Sequence, residues 1–304
     1  MRTGSSMFAT MASAALAALA VCVPVAWAQS GGPATPAVKG SAAKASTKAG
    51  APAAFDPRDL NGNWYRTSRY QTFSNVNPTN RFIVGGERPR DQSAGTQEAP
   101  FTEKGRAKFE LSKPGYGPRA TEPAYGNDPM GTCDPLGIPR LLNAEVGSSH
   151  NWWQVVQTPK RFFQYIEWHH DYRIVYTDGR RLPKIDEAEP KWNGYSVGHW
   201  DGNIFIVDSL GFDDRTWLDK FGYPHTDRMR LQERYRRVDH DTLELTMTLT
   251  DPEFYTRPWD SDKKVFKLNA GTIAKPWDEQ VYCVPSEEYK FNRLVRDPAG
   301  GKKD

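Results

Sequence analysis

The chain has 304 residues, of which 38% are hydrophobic and 12% aromatic, and it contains 25 glycines and 23 prolines. This length and composition fit one or two globular domains rich in β-structure and loops. The formal net charge is +3, but Arg2, Lys39, Lys44 and Lys48 lie in residues 1–54, where no acidic residue occurs. Because the rest of the chain is nearly neutral, nucleic acid is not expected as a partner.

The N-terminus has the pattern of a secretory signal peptide. Arg2 supplies a positive charge, residues 7–25 are apolar and rich in alanine, and Ala26-Trp27-Ala28 provides a cleavage site. This order predicts a signal peptide at residues 1–28 and a periplasmic or secreted protein. A transmembrane anchor is the alternative. It is weaker, because the apolar stretch is short and a cleavage site follows it, so no stable membrane span is expected after cleavage.

Three further segments follow the signal peptide. Residues 29–54 consist mainly of Ala, Pro, Gly, Ser, Thr and Lys. Such a segment has almost no apolar surface to bury, which predicts a disordered linker. Residues 55–298 are predicted to form a single β-rich domain, and residues 299–304 a short tail.

Alternating sequences and turn residues dominate that domain. Thr102 is a candidate N-cap for one short helix at residues 102–111, and Asp201-Gly202 is a strong hairpin signal. The predicted strands cover residues 152–157, 161–168, 172–177, 195–200, 203–208, 228–238, 242–250 and 263–268. Many strands joined by hairpin turns predict a mostly β fold, an antiparallel meander with long loops that closes into a barrel or folds as a sandwich.

The first strand carries a G-x-W-Y sequence that begins at Gly62 and ends at Tyr65. This sequence resembles the opening of lipocalins and other calycins. In those proteins the tryptophan plugs one end of the barrel. The resemblance implies a calycin-like barrel with Trp64 at one end.

Several distinctive motifs follow one another between Cys133 and Cys283. They read C-D-P-L-G-I-P-R, R-I-V-Y-T-D-G-R, W-N-G-Y-S-V-G-H-W-D-G, E-R-Y-R-R-V-D and D-P-E-F-Y-T-R-P-W. In these motifs the chain resembles a family of exported, largely uncharacterised bacterial proteins, and the resemblance brings no activity with it. Family members usually read G-D-T-L-V-V where this chain has G-N-I-F-I-V, so Asn203 is given no role.

Signal cleavage would leave two cysteines, Cys133 and Cys283. An even number of cysteines in an exported chain predicts a disulfide, with two separate buried thiols as the alternative. Neither cysteine belongs to a C-x-x-C pattern, so no metal site is expected. The chain also has no glycine-rich phosphate loop, so no cofactor is expected.

The loop at residues 217–225 holds a candidate base, His225, and a candidate orienting acid, Asp219, among aromatic residues. A histidine held by a carboxylate is a standard arrangement for proton transfer. The alternative is a structural loop in which both side chains cap turns. His169-His170-Asp171 could supply a metal ligand, but adjacent strand residues point to opposite faces, so the sequence is interpreted as a polar turn.

Glu233 lies on the apolar face of its predicted strand, where a carboxylate is costly unless it is paired or used. It is either a proton-exchanging acid or the ion-pair partner of Arg173. Asp208 ends a hairpin strand and could join either arrangement.

Aromatic residues around these groups could line a ligand pocket, although core packing is the alternative for at least half of them. The candidate substrate-binding residues are Arg173, Trp192, Tyr195, Trp200, Trp217 and Tyr223. The sequence therefore predicts a cofactor-independent acid/base enzyme (a lyase, hydratase, isomerase or hydrolase) acting on a small apolar or aromatic molecule. The alternative is a non-catalytic binding protein for a hydrophobic ligand that uses the same pocket.

Overall fold

A computed structural model describes residues 55–67, 73–74, 99–116, 119–143, 152–269 and 283–301. The predicted signal peptide, the linker and residues 302–304 of the tail lie outside these residues. Ten strands form one sheet: β1 (Gly62–Arg66), β2 (Trp152–Gln157), β3 (Arg161–Ile166), β4 (Asp171–Tyr176), β5 (Tyr195–Asp201), β6 (Ile204–Leu210), β7 (Arg230–Asp239), β8 (Thr242–Thr250), β9 (Trp259–Asp260) and β10 (Lys264–Leu268).

The sheet closes on itself as a barrel. Neighbouring strands in sequence pair from β1 to β8, and β10 then pairs with both β8 and β1. Nine strands form the closed ring, and the short β9 pairs with β8 outside it. The predicted fold class is confirmed, and the shape is consistent with a calycin-like barrel.

Turn chemistry explains the hairpins. Gly202 has φ +56° between β5 and β6, a value that a two-residue hairpin turn requires and that glycine adopts without strain. The β7–β8 hairpin turns at residues 239–241, as predicted. Alternation along β7 places Leu231, Glu233 and Tyr235 inside the barrel, whereas Arg230 and Arg236 are exposed.

One pair of neighbouring strands is parallel. Val175 on β4 lies opposite Ser196 on β5, and Tyr176 lies opposite Val197. Parallel neighbours cannot be joined by a tight turn and need a crossover connection. Residues 177–194 form this connection, which contains a short 3-10 turn at Ile185–Glu187.

The interior of the barrel is filled mainly by aromatic and aliphatic side chains. Trp153 packs edge-on against Phe266 with 4.6 Å between ring centroids. Trp64, the tryptophan of the G-x-W-Y sequence, is fully buried, and its Nε1 donates to the carbonyl oxygen of Leu60 at 2.9 Å. The bond satisfies the indole N–H, as burial of a tryptophan requires.

Helices lie outside the ring of strands. Helix α1 (Glu103–Leu111) begins after Thr102, whose hydroxyl accepts a hydrogen bond from the backbone N–H of Gly105 at 3.0 Å. This is the predicted cap. A second helical segment, which the sequence did not predict, starts as α2 (Pro285–Phe291) and ends as α3 (Asp297–Ala299). Among the described residues, no helix has the length and apolar composition that crossing a bilayer requires.

The predicted disulfide is present. Cys133 and Cys283 are bonded, with 5.5 Å between their Cα atoms. The bond ties the turn-rich segment between β1 and β2 to the start of the C-terminal helical segment.

Candidate functional site

A cleft of about 930 Å³ lies on the outer face of the barrel where β4 meets β5. We call it the β4–β5 cleft. The two strands pair at only two positions near the end of β4. Opposite the start of β4, the side chain of Asn193 bridges the gap, because its Nδ2 donates to Oδ1 of Asp171 at 3.0 Å and to the carbonyl oxygen of Tyr172 at 3.3 Å. The crossover connection supplies the other wall, through residues 180–183 and 190–194.

The wall around Lys191 is fixed by backbone contacts. The N–H of Lys191 donates to the carbonyl oxygen of Gly211 at 2.9 Å, and its carbonyl oxygen accepts from the N–H of Asp213 at 3.0 Å. Gly211 has φ +73°, and a Cβ there would lie 2.9 Å from the ring of Tyr195. Glycine at this position therefore allows the Tyr195 ring to pack against the backbone.

Three aromatic rings of the β4–β5 cleft each have a cation over one face. Arg215 lies 4.1 Å from the ring centroid of Trp192, and the amine of Lys191 lies 4.2 Å from that of Tyr195. Arg180 lies 3.6 Å from the centroid of Tyr176. These distances are typical of cation–π interactions, and the interactions hold the rings and the cations in defined positions.

Two of those cations are also neutralised by carboxylates. Arg215 bonds Asp213 through Nε at 2.8 Å and Nη2 at 2.6 Å, and these bonds lower the pKa of Asp213. Arg180 makes equivalent contacts with Asp178. Each of these arginines forms a neutral pair with its carboxylate, so it adds little net charge to the cleft.

Asp171 is the second carboxyl group in the β4–β5 cleft. Partial burial raises its pKa, although hydrogen bonds from the N–H of Tyr172 and from Asn193 oppose the shift. A cleft carboxyl group with a raised pKa can exchange a proton closer to neutral pH than an ordinary aspartate.

Arg173, the first of the predicted site residues, lies at the floor of the cleft, but its guanidinium points into the barrel. Nη1 donates to Oε1 of Glu233 at 2.8 Å, and Nη2 bonds Oε2. Tyr235 donates its hydroxyl to Glu233 at 2.6 Å, and Gln164 accepts from Nε of Arg173 at 2.9 Å. Of the two alternatives for Glu233, the ion pair with Arg173 is the one present.

The electrostatics of this buried network follow from its composition. Burial is the largest single effect on the pKa of Arg173 and lowers it, but the charge of Glu233, together with Tyr235 and the hydrogen bonds to both residues, raises the pKa overall. Burial and the same carboxylate raise the pKa of Tyr235. Arg173 therefore stays charged and the phenol of Tyr235 stays neutral at ordinary pH.

Asp219 is fully buried in the 217–225 loop. Its carboxylate accepts the backbone N–H groups of Phe73 at 2.8 Å and Phe221 at 2.9 Å. Burial raises its pKa to about 6, while those two bonds and the charges of Arg140 and Lys264 oppose the shift.

His225 is also buried, with 1% of its surface exposed. Its Nδ1 lies 2.9 Å from the carbonyl oxygen of Thr226, which can only accept, so Nδ1 carries the proton. Nε2 lies 2.6 Å from the hydroxyl of Thr216. Burial lowers the pKa of His225, against the effects of Thr226 and Asp251.

The remaining predicted residues lie elsewhere. Trp217 is nearly buried beside Arg140, and Tyr223 stacks on Phe109 with 4.6 Å between centroids. Trp200 packs on Phe205 at the far end of β5. Asp208 accepts from Gln232 at 2.9 Å and lines a separate groove of about 580 Å³ beside the β4–β5 cleft.

The structure thus brings Arg173, Trp192 and Tyr195 to one cleft, and it gives His225, Asp219 and Glu233 separate sets of partners. The cleft groups that sequence reasoning missed include Asp171, Arg181, Lys191 and Asn193. One signal could have found them. The stretch between the strands of residues 172–177 and 195–200 is too long for a hairpin, and it carries several basic residues.

Comparison of the chain with protein-family models, with curated proteins and with solved structures gave no match in any of the three. The resemblance to exported bacterial proteins, which rests on motifs between Cys133 and Cys283, therefore stays a prediction.

Proposed function

We propose that the protein binds a small aromatic molecule in the β4–β5 cleft and does not transform it. One observation carries this proposal: the rings of Trp192 and Tyr195 line an open cleft of about 930 Å³. Sites for small molecules typically measure roughly 300–1,000 Å³ and combine apolar walls with a few polar groups. The rings are held by Arg215 and Lys191, so the cleft is preformed, which reduces the entropy lost on binding.

Binding is better supported than catalysis by His225, Asp219 and Glu233. All three side chains are buried and bonded to protein groups, and none of them lines the β4–β5 cleft. A general acid or base must come within hydrogen-bond reach of the proton that it transfers. A ligand in this cleft would not meet any of the three.

A second candidate function keeps the acid/base chemistry but moves it to Asp171. The observation in its favour is the raised pKa of this carboxyl group, which lines the cleft. In this alternative Asp171 would exchange a proton with the bound molecule, and Asn193 would orient it. Asp171→Asn distinguishes the two functions, because it would abolish turnover in an enzyme and leave a binding protein able to bind.

We propose further that the protein acts after export, in the periplasm or outside the cell. The signal-peptide pattern at residues 1–28 supports this location. The disulfide between Cys133 and Cys283 supports it as well, because disulfides persist mainly in oxidising compartments.

The test is a binding screen of residues 29–304 with small aromatic compounds, read by ligand-observed NMR and calorimetry. Trp192→Ala and Tyr195→Ala are expected to weaken binding by about tenfold each, since an aromatic contact is worth on the order of 1 kcal/mol beyond its buried area. Tyr289→Ala is the matched control, because Tyr289 is 61% exposed and lies outside the cleft. Binding that survives both cleft substitutions would contradict the proposal.

A further inference from the structure

The charges around the β4–β5 cleft are unequal. Five basic side chains line it against two carboxylates, Asp171 and Asp213. The basic residues are Arg173, Arg180, Arg181, Lys191 and Arg215. A cleft lined by an excess of one sign attracts ligands of the other sign.

Ion pairs within the protein account for three of the five cations. Arg173 is paired with Glu233, Arg180 with Asp178 and Arg215 with Asp213. These guanidiniums already have their carboxylate partners. They hold the walls of the cleft, and their charges are already compensated.

Arg181 and Lys191 differ from these three. Within the described ranges, neither side chain makes a salt bridge to a carboxylate. Lys191 lies over the ring of Tyr195, and a cation over a ring remains able to donate its hydrogens to a second partner. Both residues are exposed at the rim.

Arg180 and Asp171 lie toward opposite ends of β4. Arg180, the neighbour of Arg181, lies over Tyr176 at the end of β4, whereas Asp171 begins the strand. At about 3.3 Å per residue, the two ends of β4 are roughly 16 Å apart. Tyr195 and Tyr176 lie on the outer face of neighbouring strands near the same end, because Ser196 is opposite Val175 and Val197 is opposite Tyr176. Arg180 therefore marks the end of the cleft that is far from Asp171.

The cleft charges that lack an ion-pair partner indicate which net charge the ligand carries. Arg181 and Lys191 carry two positive charges, and Asp171, when ionised, carries one negative charge without an ion pair among the described residues. One uncompensated positive charge matches a monoanion better than a phosphate monoester, which carries about −1.5 to −2 at neutral pH. The planar fork of an arginine also matches the two oxygens of a carboxylate.

We infer that the ligand of the β4–β5 cleft is a small aromatic carboxylate, with its ring against Trp192 and Tyr195 and its carboxylate bound by Arg181 and Lys191. This inference rests on the proposed binding function and specifies its ligand class. The ring supplies apolar contact, and the anionic group fixes the orientation of the ligand along the cleft.

The test compares matched probes by calorimetry: 2-naphthoate, the neutral 2-naphthamide, the cationic 2-naphthylmethylammonium and the dianionic 2-naphthyl phosphate. We expect 2-naphthoate to bind about tenfold more tightly than the amide, since charge-assisted hydrogen bonds contribute more than neutral ones. The ammonium probe is expected to bind most weakly. Raising the salt concentration to about 0.5 M should weaken the carboxylate and leave the amide almost unchanged.

Substitutions locate the anion. Arg181→Gln and Lys191→Gln are each expected to weaken 2-naphthoate by about three- to tenfold without changing the affinity for 2-naphthamide. Lys184→Gln is the control for Lys191→Gln, because Lys184 lies in the same connection but pairs with Glu187 outside the cleft. Arg257→Gln is the control for Arg181→Gln, since Arg257 is exposed in a bend and does not line the cleft.

Equal affinities of the acid and the amide would overturn the carboxylate inference while the binding function stands. Tighter binding of the phosphate than of the carboxylate would overturn the assignment of a monoanion. No binding of any probe at millimolar concentration would sink the proposed function itself, and the inference with it.

Discussion

Arg173 on β4 and Glu233 on β7 form a two-contact ion pair across the interior of the barrel, with 2.8 Å between Nη1 and Oε1. Their side chains are 2% and 0% exposed. The pair connects the strand beneath the β4–β5 cleft with a strand on another side of the ring. Because Tyr235 and Gln164 bond the same groups, the geometry of the pair is fixed from several directions.

Glu233→Gln is expected to lower the free energy of unfolding by about 3–5 kcal/mol, because it leaves the Arg173 charge buried without a counter-ion. Urea denaturation followed by circular dichroism measures this loss. The double variant Arg173→Met/Glu233→Met should lose less than the sum of the two single variants, since it leaves no unpaired charge.

Arg236→Met is the control for that prediction. Arg236 pairs with Glu244 on the outer face of neighbouring strands and is 55% exposed, so its loss should cost about 1 kcal/mol or less. Similar losses for the interior and exterior substitutions would show that the interior pair is not the source of the effect.

Asp219 should make the protein less stable as the pH rises from about 4 to 6. Its pKa is 3.8 in the unfolded reference and about 6 in the folded protein, where burial is the main cause. A raised pKa in the folded state gives stability that is present below the unfolded pKa and is lost as the pH rises through the folded pKa. The expected slope from this group is up to about 1 kcal/mol per pH unit.

Urea denaturation at several pH values between about 4 and 7 measures that slope. Asp219→Asn is expected to remove most of this contribution, although its loss of one backbone hydrogen bond also lowers stability at every pH. Asp213→Asn is the matched control, because the pKa of Asp213 is lowered by Arg215 and its titration falls below this range. An unchanged slope in Asp219→Asn would assign the pH dependence to other groups.

Gly211→Ala is expected to destabilise the protein more than Gly179→Ala. Both glycines have a positive φ, of +73° and +83°, where an alanine costs about 1–2 kcal/mol. At Gly211 an added Cβ would also lie 2.9 Å from the Tyr195 ring, whereas at Gly179 it would meet nothing within 4 Å. The difference between the two variants therefore measures the close contacts with Tyr195 and with Ala188, whose Cβ would lie 3.2 Å away.

The same pair of variants tests the β4–β5 cleft. Since the Tyr195 ring must move in Gly211→Ala, affinity for 2-naphthoate should fall in this variant and stay unchanged in Gly179→Ala. Calorimetry measures both. Equal affinities in the two variants would mean that the position of Tyr195 does not matter for the ligand.

Removing the disulfide with Cys133→Ser/Cys283→Ser should lower the free energy of unfolding by about 2–5 kcal/mol. The two cysteines are 150 residues apart in sequence, and a crosslink that closes a long loop restricts the unfolded chain strongly. Denaturation with and without a reductant measures the effect. The reductant should change the stability of the parent protein and leave the variant unaffected; a parent protein indifferent to reductant would contradict the prediction.

Local patterns were sufficient to predict most of the strands. The predicted bounds of β2 and β8 agree with the structure, because alternating side chains and the adjoining turn residues act over short distances. The parallel pairing of β4 with β5 could not be predicted in this way. Alternation shows which face of a strand is buried, but it carries no information about which strand lies beside it or in which direction.

The candidate site was harder to predict for the same reason. The loop at residues 217–225 held the candidate base and its orienting acid, yet Trp217, Phe221 and Tyr223 are buried. Their burial takes the polar groups of Asp219 and His225 out of solvent. The cleft side chains Asp171 and Asn193 are 22 residues apart in sequence and meet only through the crossover connection. Their proximity is a property of the topology, which a reading of neighbouring residues does not reveal.

The parallel pairing of β4 with β5 follows from the number of strands in the ring. In a closed ring of strands whose directions alternate, the number of strands must be even. This ring has nine strands, so two neighbours must run the same way, and they are β4 and β5. The β4–β5 cleft, and the crossover connection that forms its other wall, are therefore consequences of an odd number of strands. Any chain that folds into a closed ring of nine strands must contain a parallel pair of neighbouring strands, whatever its side chains are.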